Sequence, residues 1–216
     1  MTIQLRYLLF VCLLPFLWAC YPKGAEYIDE LDLVYTNYDP NTDFSVKKTY
    51  SIPDSVIKIT GEHYDDPDGN GKPQFVKATY SSVILNQLKK DMGLIGWTLV
   101  DKSDHPDVVL LVSTTTTTNL YYYYDWGYWG WYYPGYNPGW GWYYPGYYYP
   151  PYITGYRSGS VFVQMVDNGN TVNGENIPVL WSCIINGLAE GSTADITYRT
   201  QLNIDKAFSQ SPYLKH

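Results

Sequence analysis

Apolar residues first recur at alternate positions in "YIDELDLVYTNY" (residues 27–38), where Leu31, Leu33 or Val34, and Tyr35 stand among acids. That alternation predicts a strand. "YDPNTDF" interrupts it with Pro40 and the turn formers Asp39, Asn41 and Asp43. "VKKTYSI" (residues 46–52) then reads as a short second strand, and "DDPDGNGKP" as a strong break. Beyond it the period changes. Phe75/Val76, Tyr80, Val83/Ile84, Leu88 and Met92 recur at three- and four-residue steps, with Gln87, Lys89, Lys90 and Asp91 mostly on the other faces. This predicts an amphipathic helix that ends near Gly93 or Gly96.

"WTLV" (residues 97–100) follows as a strand and "SDHPD" as a turn. "VVLLVSTTTTT" (residues 108–118) is β-branched, continuous where it starts and polar where it ends, so it is expected to run from a buried sheet centre out toward solvent. Further along, "SVFVQMV" (residues 160–166) alternates, "DNGN" turns with a hairpin signal at Asn168-Gly169, and "PVLWSCII" (residues 178–185) is a second buried strand. "STAD" opens the last element. Ser192 and Asp195 have capping-box spacing, Ile196, Thr200, Ile204 and Ala207/Phe208 share one helical face, and Pro212 closes it. Clustered strands with hairpin-sized connections imply an α+β fold, a mostly antiparallel sheet with two helices packed on one face.

Between the two middle strands lies an insertion of a different kind. The stretch from Tyr121 to Tyr156 holds 15 of the chain's 25 tyrosines, 5 of its 8 tryptophans, 7 Gly and 5 Pro, and one charge, Asp125. Gly and Pro at this density oppose both helix and central strand, so residues 119–156 are expected to form a long aromatic hairpin arm at the tip of an antiparallel ladder between the flanking segments Val108–Thr118 and Ser158–Val166. Three readings of its rings stay open. They pack on each other and on the prolines. They contact a partner, because Tyr and Trp offer large amphipathic faces at low entropic cost, with envelope saccharide as the leading ligand class. Or they sit in a membrane interface. The candidate contact residues are Tyr124, Trp126, Trp129, Trp131, Tyr133, Trp140, Trp142 and Tyr144.

Location is the more legible property. Residues 1–19 carry Arg6 and then an apolar run from Tyr7 to Trp18, too short to span a bilayer comfortably, which takes about twenty residues. The run ends on Leu17-Trp18-Ala19-Cys20, which resembles a bacterial lipobox. The resemblance implies cleavage before Cys20, acylation of its sulfur and attachment to a bilayer, with residues 20–26 as a tether and 27–216 as one α+β domain. Loss of Arg6 with the leader takes the formal net charge from −7 to −8, which opposes nucleic acid. Beyond Cys20 the only thiol is Cys183, set in an apolar run and expected to be a buried, inert side chain.

Smaller signals are weak. Asp66, Asp68 and Asn70 match the first half of a calcium loop, but Lys77 stands where a bidentate Glu is required; a solvated turn is the expectation, and no cofactor is expected. Asp54-Ser55-Val56 resembles the O-glycosylation triplet of Bacteroidota. No nucleophile-elbow, zinc-protease or phosphate-loop pattern occurs, and His63, His105 and His216 are scattered. Paired acids such as Asp65/Asp66 and Glu30/Asp32 are the sole opening for a glycan-cleaving enzyme; a non-catalytic binding or structural module is the expectation.

Asp43-Phe44-Ser45, Lys48-Thr49-Tyr50, Pro106-Asp107, Trp181 and Ala207-Phe208 together resemble the bacterial lipoprotein family described as domain of unknown function 4136. The resemblance spans about residues 30–213, and the flank "CYPKGAEY" is similar to lipoproteins of Bacteroidota. It implies an envelope lipoprotein, on the outer membrane, and brings no reaction or ligand.

Overall fold

The computed structural model describes residues 32–59, 73–115, 132, 141–143, 159–168, 176–186 and 192–216. They fall in one compact unit, Asp32–His216. The strands are β1 (Leu33–Tyr38), β2 (Thr49–Ser51), β3 (Ile57–Ile59), β4 (Thr98–Leu99), β5 (Val108–Thr115), β6 (Gly141–Tyr143), β7 (Ser160–Asp167) and β8 (Asn176–Asn186). The helices are α1 (Ala78–Leu94), between β3 and β4, and α2 (Thr193–Ser209), after β8.

Among the described residues the strands form one mixed sheet in the order β1-β8-β7-β5-β2-β4, with β3 also on β5 and β6 on β8. The long strands pair antiparallel, as expected: Val108↔Asp167 to Thr115↔Ser160 for β5 and β7, and Val161↔Ile185 to Val166↔Val179 for β7 and β8. The short ones depart from that expectation. β2 and β3 both lie parallel to β5, β4 lies parallel to β2, and β6 parallel to β8. For β2, β3 and β4 the reason is topological: α1 lies between β2 and β4, and between β2 or β3 and β5, and a strand that returns after a crossover helix enters in the same direction.

Alternation assigns the faces. Leu110, Val112, Val163, Met165, Cys183 and Ile185 point to the helices and form the main core with Leu88, Met92, Ile204 and Phe208. α1 ends where Gly96 takes a φ of 100°, a left-handed turn in which a Cβ would come within 3.0 Å of His216 Cβ. α2 starts with the predicted capping box, Asp195 N–H donating to Ser192 Oγ at 3.2 Å and Ser192 N–H to Asp195 Oδ2 at 3.1 Å.

Other expectations need correction. The second strand is shorter than 46–52, because Phe44–Val46 form a 3-10 turn capped by Asp43. β3 was not foreseen, since three residues after Pro53 show no period. The polar end of β5 does not emerge into solvent up to Thr115; Ser113 and Thr115 are buried. Residues 27–31, 116–118 and the Asn168-Gly169 hairpin beyond Asn168 lie outside the described residues, as do Cys20 and the leader.

The residues that carry the family resemblance do structural work. Asp107 accepts from the N–H of Lys48 (2.7 Å), the N–H of Thr49 (2.8 Å) and Thr49 Oγ1 (2.8 Å), fastening β2 onto the start of β5. Burial opposes its charge, but these donors and nearby Lys47 hold its carboxyl below the ordinary range. At the same end Tyr213 stacks on Tyr38 with centroids 3.7 Å apart and lies 5.8 Å from Phe44. Trp97 Nε1 donates to the Leu214 carbonyl at 2.8 Å. The C-terminal turn is thereby stapled across the sheet end.

Candidate functional site

The arm begins and ends on neighbouring strands. Thr115 pairs with Ser160, and Gly159, with a φ of 92° that favours glycine, donates its N–H to the Thr115 carbonyl at 2.8 Å. Most of the arm lies outside the described residues, including Tyr124, Trp126, Trp129, Trp131, Tyr133, Trp140 and Tyr144. Two parts of it are described, and both touch the body. In β6, Trp142 stands in register with Ile177. Tyr132 reaches the β2–β4 edge of the sheet.

Tyr132 lines a cavity of about 510 Å³ with Ile52, Leu99 and Val100 as its apolar wall and Asp54, Lys89, Asp101 and Lys102 as its polar groups. That volume is in the range of small-molecule sites, roughly 300–1,000 Å³. Lys102 Nζ donates to the Tyr132 carbonyl at 3.4 Å and stands 4.9 Å from its ring centroid, a cation–π distance. Burial raises the Tyr132 hydroxyl above its ordinary range; Ser51 acts against that shift, and Asp101 and Asp54 add to it. Asp101 is held as a carboxylate by the Ser103 N–H (2.9 Å) and Oγ (2.8 Å). The cavity thus combines an aromatic ring, carboxylate acceptors and ammonium donors.

A second, smaller recess of about 260 Å³ opens at the root of the arm. Val76, Tyr80 and Val83 of the α1 end, Ile196 and Thr200 of α2, and Thr114 and Gly159 line it. The Tyr80 hydroxyl reaches Thr193 Oγ1 at 3.4 Å and joins the two helix starts beside it. The recess suits an apolar side chain or the end of an acyl chain.

The structure also brings together two carboxylates that no spacing suggests. Gln87 Nε2 donates to Asp91 Oδ1 at 3.0 Å and to Asp205 Oδ1 at 2.6 Å, joining α1 to α2. Burial pushes the Asp91 carboxyl up to about 6, Gln87 works against the shift, and Asp205 adds to it. The native state therefore holds a proton that the unfolded chain gives up near pH 4. This stabilises fully below pH 4 and is lost as pH rises through about 6. Asp91→Asn is expected to abolish that fall and to gain about 1–3 kcal/mol at pH 7.5, as read from urea midpoints between pH 4 and 8. The pair lines neither cavity.

Of the other candidates, Asp32 is committed to an ion pair with Arg199. Glu30, Asp65, Asp66, Asp68 and Asn70 lie outside the described residues. Among the described residues no group of three or more His, Cys, Asp or Glu is placed to hold a metal. Cys183 is buried, as expected, and burial pushes its thiol far up. No described helix is long and apolar enough to cross a membrane, which says nothing of strands.

Comparison with known proteins gives a family and no activity. Among curated proteins none matches. The crystal structure of a DUF4136 family protein from Bacteroides thetaiotaomicron VPI-5482 superposes with a TM-score of 0.63 at 27% identity, covering 85% of this chain and 97% of that one. A PDZ domain protein from Parabacteroides distasonis ATCC 8503 gives a TM-score of 0.43 at 15% identity over 86% of this chain and 37% of its own. The family model described as Domain of unknown function (DUF4136) matches residues 34–213, from β1 to the C-terminal turn that closes the fold. The chain belongs to the DUF4136 family.

Proposed function

We propose that this protein is a non-catalytic envelope module, held to the outer-membrane bilayer through acylated Cys20, that binds an envelope saccharide with its aromatic arm. One observation carries the reading: Tyr132, an arm residue, lines a 510 Å³ cavity beside Asp54, Lys89, Asp101 and Lys102. Sugars expose hydroxyl groups, which carboxylates accept and ammonium groups donate to, and ring C–H faces, which aromatic side chains stack against. The cavity offers both chemistries. The clamped start of β1 supports a tether arriving from Cys20.

The test is a panel of muropeptides and outer-membrane oligosaccharides offered to the full chain and to Tyr132→Ala. Binding of at least one saccharide, weakened about tenfold or more by the substitution, is expected; tenfold corresponds to about 1.4 kcal/mol. A chain that retains nothing on the panel, or a variant that binds as well as the parent, overturns the reading. Labelled palmitate should enter the chain and fail to enter Cys20→Ser.

The rival is an enzyme that cleaves glycan through a carboxylate pair. It draws on Asp54 and Asp101 sharing the cavity wall. Release of reducing ends from the same panel, lost in Asp54→Asn, would favour it.

A further inference from the structure

One face of the sheet is accounted for by α1 and α2. The opposite face is not. Val109, Leu111, Phe162, Val166 and Ile184 alternate with the core-facing residues, so they point away from both helices, and none is more than 4% exposed. None belongs to the core cluster formed with the helices. Among the described residues no element lies across them, yet they are buried, and neither Phe162 nor Gln164 on this face is without a partner.

We propose that the aromatic segment between Thr115 and Gly159 is the outer layer of the domain, packed on the sheet face opposite the helices. Four observations converge on this occupant. Its two ends leave from β5 and β7, the central strands of that face, at the register Thr115↔Ser160. Its β6 pairs with β8 at Asn176–Pro178, past the Val166↔Val179 pair and so at the other end of the same strands. A chain that starts at one end and hydrogen-bonds at the other must travel the sheet's length, roughly 25 Å for eight residues of strand, and the helices fill the alternative face. Third, Tyr132 lies beside Ser51, which pairs with Val109 and so belongs to the unfilled face. Ser51 Oγ is buried with no hydrogen-bond partner of normal geometry among the described residues.

Composition is the fourth. The other internal segments, 60–72, 169–175 and 187–191, are short or polar, whereas this one carries 20 Tyr and Trp rings between Tyr121 and Tyr156. Rings on a flat, β-branched surface bury large area without needing regular backbone of their own. The arm is then a third layer with one side on the sheet, and its outer side and the edge cavity at Tyr132 are left for ligand. This goes beyond the saccharide reading and stands without it.

Photo-leucine incorporated into the full chain tests it with no ligand present. Carbenes at Leu111 are expected to cross-link into residues 119–156 as well as to the flanking strands, while those at neighbouring Leu110 link to α1 and α2. Links from Leu111 confined to the flanking strands, or joining two copies of the chain, overturn the proposal. Quenching of Leu111 by water without any link overturns it too. A saccharide panel that fails while Leu111 links to the arm rejects the binding role alone.

Discussion

Asp32→Ala is expected to destabilise the chain by about 3–5 kcal/mol, the cost of leaving a buried charge without its partner. Arg199, on α2, places its Nη2 and its Nε, the latter at 2.8 Å, on the Asp32 carboxylate, and Asn203 Nδ2 adds a donor at 2.8 Å. The side chains of Asp32 and Arg199 are 1% and 5% exposed. Water therefore cannot take over when the carboxylate is removed. Replacing both partners by apolar residues, Asp32→Leu with Arg199→Met, should cost much less than Asp32→Ala, because a buried pair exchanged for apolar volume is often close to neutral. Urea melts of the three chains decide it; an unchanged midpoint for Asp32→Ala would reject the clamp. Its position gives it a mechanical sense. Asp32 immediately precedes β1, where a tether from Cys20 would enter the domain, and the pair ties that entry to α2.

Trp181→Ala should cost a similar 3–5 kcal/mol by a different route, the cavity left by a large core side chain. Trp181 is 1% exposed, sits in β8 opposite Tyr38 and Met165, and has its ring centroid 5.7 Å from that of Phe208. Its Nε1 donates to Ser211 Oγ at 2.9 Å, and the Tyr213 hydroxyl donates to the same oxygen at 3.2 Å. Trp181→Phe keeps most of the volume and loses the N–H, so about 1–2 kcal/mol is expected of it. The difference between the two variants measures packing apart from hydrogen bonding. Equal losses would mean that the Ser211 contact, rather than the ring, anchors the C-terminal turn.

The long elements were legible from pattern because burial imposes a period. α1, α2, β5, β7 and β8 each repeat their apolar positions often enough for the period to show, and Ser192/Asp195 announces a helix start within four residues. β3, β4 and β6 have two or three residues each, fewer than one repeat can establish, and their parallel pairing depends on what surrounds them. The cavity was illegible for a related reason. Asp54, Lys89, Asp101, Lys102 and Tyr132 come from four separate stretches with ordinary solvated surroundings in sequence, and Asp91 meets Asp205 only because two helices cross there.

By itself the sequence determined the α+β class, the pairing of the two strands that flank the aromatic insertion, the cap of α2 and the family. Tertiary structure alone decided that the short strands run parallel, that the sheet buries both faces, and which charges share a cavity with Tyr132. Periodicity records how often a residue turns inward. It does not record what waits there, since backbone hydrogen bonds and apolar burial accept many partners, and chain topology chooses among them.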